Sequence, residues 1–221
     1  MNVTPSAALI PEGLDLPLWR GRAHAITFFA AIPAGLLLVV LASDATARIV
    51  AAIYAASLLA VFGTSAAYHR LAQTPKARAV MQRLDHSMIY LLIAGTYVPV
   101  CLLALPRSWG IPMLTLVGAG ALVGMGLKLL AFQRAQWIGL ALYPILGWSA
   151  LAAAPVLVHH LSPVQLSLIV AGGVAYTVGF PVLLAKWPDP WPRTFGYHEV
   201  WHAFTIVAAV LHFSAVATLV V

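Results

Sequence analysis

The chain has 221 residues, 62% of them hydrophobic and 8% charged, with a net charge of +6. A soluble domain carries about 25% charged residues, so the composition excludes an ordinary soluble fold, and nucleic acid is not the expected partner of the basic charge. A single cysteine, Cys101, excludes an intrachain disulfide.

Residues 1–24 contain Pro5, Pro11, Pro17, Glu12 and Asp15 and lack the basic start and apolar core of a signal peptide. They are expected to form a short cytoplasmic tail that enters the membrane after Arg20 and Arg22. The rest, 25–221, is expected to be a single transmembrane domain of seven apolar segments, each long enough to cross the bilayer as a helix.

The first segment runs 25–42, with His24 at its edge and no role assigned to that histidine. The second, 49–69, ends on His69, with Ser65 one turn earlier on the same face. The third, 85–105, opens on Asp85. The adjacent His86 points about 100° away and is expected to make a packing or loop contact. The fourth, 110–131, carries a Gly120-to-Gly124 step suited to close helix packing. The fifth, 137–158, is followed by His159 and His160, expected to be solvated. The sixth runs 164–185. The seventh, 198–220, opens as His198-Glu-Val-Trp-His202 and holds His212 deeper, expected to be a buried hydrogen-bonded group. Pro33, Pro99, Pro144 and Pro181 are expected to kink their helices and help shape a cavity.

Basic residues orient the bundle. With the N-terminus inside, ten of the twelve Lys and Arg side chains fall in inner segments and only Arg48 and Arg107 in outer ones. The split predicts a cytoplasmic N-terminus and an outer C-terminus. It also places His69, Asp85, His198 and His202 at one depth near the inner face, although none of them entered the assignment.

Ionisable groups at the ends of membrane spans are functional-site candidates. His198 and His202 lie about 40° apart and one turn apart on a helix, so both rings can reach one ion. His69 is placed to supply a third ligand. Three histidines leave a fourth position open for water, the arrangement of catalytic zinc. Either Asp85 or Glu199 could serve as the base. Ser65 could support a ligand or a substrate oxygen. Competing readings are an Asp85 that merely complements the helix dipole and histidines that only pack.

Three motifs carry a family resemblance: Ser65-Ala-Ala-Tyr-His69; Arg83-Leu-Asp85-His-Ser87 with Leu92-Ile-Ala-Gly-Thr-Tyr-Val-Pro99; and His198-Glu-Val-Trp-His202. In order, spacing and seven-helix layout they resemble the hemolysin III proteins, the bacterial branch of the progestin and adiponectin receptor family. The resemblance implies an all-α, seven-helix fold with the N-terminus inside. It implies zinc on His69, His198 and His202, with Asp85 rather than Glu199 contacting the water on the metal. A distant likeness to alkaline ceramidases implies hydrolysis of a lipid amide or ester.

The function expected is therefore zinc-dependent hydrolysis of a membrane lipid. The alternative is a receptor-like or regulatory protein with a structural zinc. A transporter fits less well, because its ligands would sit at the bilayer midplane. An intramembrane protease would need a further ligand, and no acid follows His202.

Overall fold

The computed structural model describes residues 16–221; the prolines and acids expected in the tail at Pro5, Pro11, Glu12 and Asp15 lie outside them. The fold is all-α. Among the described residues the only strand-like pairing is one isolated antiparallel bridge, Trp191 to Phe195. The helices are α1 (Arg22–Leu41), α2 (Ala45–Leu71), α3 (Pro75–Pro99), α4 (Arg107–Leu130), α5 (Gln136–Gly147), α6 (Ala154–His160), α7 (Pro163–Ala185) and α8 (Tyr197–Val220). A π-helical turn, Val100–Ala104, extends α3, and a 3₁₀ stretch, Trp148–Ala153, joins α5 to α6. These make seven segments long and apolar enough to cross a membrane. Side chains such as Phe29, Leu36, Leu116 and Leu122 project outward, more than 60% exposed, as a lipid-facing surface requires.

Two helices begin well before their apolar runs. Asp44 caps α2 by accepting from the Ala47 amide, and Thr74 caps α3 by accepting from the Ala77 amide with Pro75 at its first turn. α3 therefore starts ten residues ahead of the expected 85, across the mixed stretch that carries Lys76, Arg78, Gln82 and Arg83. Asp85 is a mid-helix residue about 15 Å from the start of α3, too far for the helix dipole to account for it.

Two of the expected proline kinks coincide with changes of helix type. Pro99 ends α3 at the π turn, and Pro144 precedes the 3₁₀ stretch. The Gly120–Gly124 step packs closely, as its spacing suggests. A Cβ at Gly120 would press on Leu146, and one at Gly124 would enter the Tyr90 ring.

One buried core joins α1, α2 and α8 through Leu38, Tyr54, Leu58, Phe62, Ala209 and Val216. The helices alternate in direction, so the start of α1, the end of α2 and the start of α8 meet at one end of this core. That meeting point carries the site.

Candidate metal centre

The start of α8 is built by its own acid. Glu199, only 2% exposed, accepts from the Gly196 amide at 3.0 Å and so caps the helix. Its other oxygen pairs with Arg20. Both carboxylate oxygens are thus engaged away from the histidines. Glu199 holds α8 in place and is not poised as a base.

With α8 fixed, His198 and His202 point at the end of α2. One ring nitrogen each of His69, His198 and His202 lies within 4.8 Å of the other two. The Nε2 atoms of His69 and His198 are 3.2 Å apart. Zinc–imidazole bonds of about 2.0–2.1 Å place tetrahedral ligand nitrogens about 3.3 Å apart. The three histidines expected from sequence therefore converge closely enough to hold a metal ion, one pair at nearly the tetrahedral spacing. The other histidines are elsewhere. His86 bonds the Gln82 carbonyl and packs edge-on against Phe132. His212 donates to the Ile169 carbonyl, and His159 and His160 are exposed.

Asp85 stands outside the three-histidine group. Its carboxylate approaches the Ser65 hydroxyl from α3 and lies 3.8 Å from His86 Nδ1. Ser65 is 1% exposed and sits one turn before His69 on α2. Its hydroxyl bonds His24 at 2.8 Å, a partner the bare i, i+4 spacing did not reveal.

His24 is the residue sequence reading missed. It is inside α1 and 5% exposed. Its Nδ1 bonds Ser65 Oγ at 2.8 Å, and its Nε2 bonds Thr205 Oγ1 at 3.1 Å. Thr205 in turn donates to the His202 carbonyl at 2.8 Å. The His24 and His202 rings stack, with centroids 3.8 Å apart and planes 4° from parallel. Both His24 nitrogens are engaged, so it supports the ligand set without joining it. The available signal was its place: a histidine at the start of an apolar span, at the same end of the bundle as the others.

Before α1 the chain crosses this end of the bundle. The Leu18 and Trp19 amides donate to the Arg193 and Thr194 carbonyls, each at 3.0 Å. Gly21 then turns into α1 at φ 72°, in the left-handed region that favours glycine. A Cβ there would lie 2.6 Å from His69 Cβ, so only glycine lets this turn rest on the ligand.

Fold and site together define a polytopic helical membrane protein with a buried histidine cluster that can hold a metal ion. Comparison with known proteins narrows that class. The haemolysin-III related family matches residues 14–213, nearly the whole chain, and the chain belongs to it. It is 31% identical over 196 residues to Hemolysin-3 of Bacillus cereus, covering 87% of this chain and 86% of that protein. It is 30% identical over 186 residues to the Hemolysin-3 homolog of Bacillus subtilis (strain 168), covering 83% and 84%.

Proposed function

We propose that this protein is a zinc-dependent hydrolase of an amide or ester bond in a membrane lipid. The observation that carries the reading is the convergence of His69, His198 and His202, with an acid, Asp85, on the neighbouring helix α3. Zinc in such a set supplies Lewis acidity to a carbonyl and acidifies water.

The chain's own residues divide the remaining work. The three histidines hold the ion. His24 fixes the ring plane of His202, and Thr205 bonds both His24 and the His202 carbonyl. Asp85 accepts a proton, and Ser65 supports His24 one turn before His69. Glu199 takes no part in the chemistry, because Arg20 and the Gly196 amide consume it. That also separates this site from peptidases with the same His-Glu-x-x-His spacing, where the glutamate is the base. The basic residues favour an inner membrane with the N-terminus and the metal centre on the cytoplasmic side.

The test is turnover of a lipid amide by purified protein. Chelation is expected to abolish it. Asp85→Asn is expected to abolish it while leaving the metal bound. Turnover that survives both treatments would sink the proposal.

A structural role for the metal is the second reading, favoured by the way the cluster joins α2 to α8 with His24 of α1 stacked against it. It predicts a metal-free protein of clearly lower thermal stability and no lipid turnover in either form.

A further inference from the structure

At the bundle end that carries the histidines, a cavity of about 300 Å³ is lined by Leu16, Pro17, Leu18, Arg20, Arg22, His69 and Arg70. His69 is also one of the three candidate ligands, so this cavity adjoins the candidate metal centre. Its lining includes three arginines and, among the described residues, no acid. The charge of Arg20 is committed to Glu199. Arg22 and Arg70 are exposed and flank the mouth.

Two features set these arginines apart from charges that merely orient a membrane protein. The first is convergence. The Gly21 turn packs onto the end of α2 so tightly that a Cβ there would lie 3.1 Å from Arg70 Cγ. The start of α1, with Arg22, is thus locked against Arg70 beside one shared cavity. The second is the apolar wall. Leu16 and Leu18 line the same cavity and are 40% and 52% exposed. A free anion has no use for that wall. An amphiphile with a charged head and apolar tails does.

We propose that this mouth is a headgroup subsite that holds the phosphate of an anionic membrane lipid between Arg22 and Arg70, with its apolar part against Leu16 and Leu18. Planar guanidinium groups match phosphate oxygens in paired hydrogen bonds, and the end of the bundle is the depth at which headgroups lie. As a statement of substrate class, the proposal rests on the hydrolase reading above. As a binding site, it does not.

The experiment measures binding. Purified protein is exchanged into detergent containing equal amounts of phosphatidylglycerol and phosphatidylcholine, and retained lipid is counted by native mass spectrometry. Wild type is expected to prefer phosphatidylglycerol. Two arginines at about fivefold each predict a loss of preference of about 25-fold in Arg22→Gln/Arg70→Gln. Lys76→Gln/Arg134→Gln removes the same charge from exposed positions at the same end of the bundle and is expected to keep the preference. Metal content per chain confirms that both variants are folded.

Equal retention of the two lipids by wild type would overturn the proposal, and so would equal losses in the two double variants. Displacement of phosphatidylglycerol by inorganic phosphate at matching concentration would make free phosphate the ligand and remove the lipid. Preferential binding without turnover of any lipid amide or ester would end the hydrolase reading and leave the subsite standing. Turnover without headgroup preference would do the reverse.

Discussion

His24 lies flat on His202, ring against ring at 3.8 Å and within 4° of parallel. One member of this pair is a candidate metal ligand. The other is bonded at both nitrogens, to Ser65 and Thr205. The ligand's ring plane is therefore set by a residue on a different helix. Groups that orient metal ligands typically account for about 10–100-fold in metal affinity. His24→Ala is expected to weaken zinc binding by that factor, read by competition with a chromophoric chelator. His24→Phe keeps a stacking ring but no hydrogen bonds and should recover only part of the loss. Unchanged affinity in both variants would refute the assignment.

Removing a ligand has a larger effect than removing its support. His69→Ala and His202→Ala are each expected to lower bound metal from about one ion per chain to none after dialysis, because two histidines alone make an incomplete zinc set. Elemental analysis of the purified variants decides it. His212→Ala, which removes a bond to the Ile169 carbonyl far from the cluster, should retain its metal.

The Arg20–Glu199 pair should behave as a structural clasp. Glu199 is 2% exposed, and Arg20 supplies its countercharge. Stripping the partner from a buried charge costs about 3 kcal/mol. Arg20→Ala is expected to lower thermal stability more than Glu199→Gln, whose amide oxygen can still accept from the Gly196 amide. If Glu199 were instead the base, Glu199→Gln would abolish turnover per bound metal, whereas the geometry predicts that turnover persists.

Much of this centre was legible in the sequence because its key signals are local or follow from topology. The His198–His202 spacing is fixed by helix geometry. The depth of His69 follows from counting spans and basic residues. The start of α3 was not legible from hydropathy, because Lys76, Arg78, Gln82 and Arg83 interrupt its first turns, which are helical for another reason, the Thr74–Pro75 cap. His24 and the fate of Glu199 were hidden because each depends on partners from distant parts of the chain. His24 contacts residues 41 and 181 positions away, and Glu199 pairs with one 179 positions away. Spacing along one helix suggested a peptidase-like base, and only the Arg20 contact shows that this acid is already occupied.

Close packing of α3 on α4 gives a prediction with an internal control. A Cβ at Gly124 would run into the Tyr90 ring, while one at Gly118 would meet nothing within 4 Å. Gly124→Ala is expected to destabilise by about 1–3 kcal/mol through overpacking. Gly118→Ala should be neutral or stabilising by up to about 1 kcal/mol, the helix-propensity difference between the two residues. Thermal unfolding in one detergent compares them.

Orientation has a direct assay. Cys101 is 2% exposed and can be replaced by serine to give a cysteine-free background. In that background Arg107→Cys is expected to react with an impermeant thiol reagent in intact cells. Arg134→Cys should react only after the membrane is opened. The opposite pattern would place the metal centre on the outer side.

The turn at Gly21, resting on His69 and tied by its flanking strap to the loop before α8, has a consequence for biogenesis. The parts of the centre lie far apart along the chain. Arg20 and His24 precede His69, and His198 and His202 follow it by more than a hundred residues. A nascent chain in which α8 has not yet been made holds one of the three candidate ligands and an Arg20 with no Glu199 to receive it. The three-histidine set can therefore form only after α8 joins α1 and α2, which ties any metal capture to the docking of that helix.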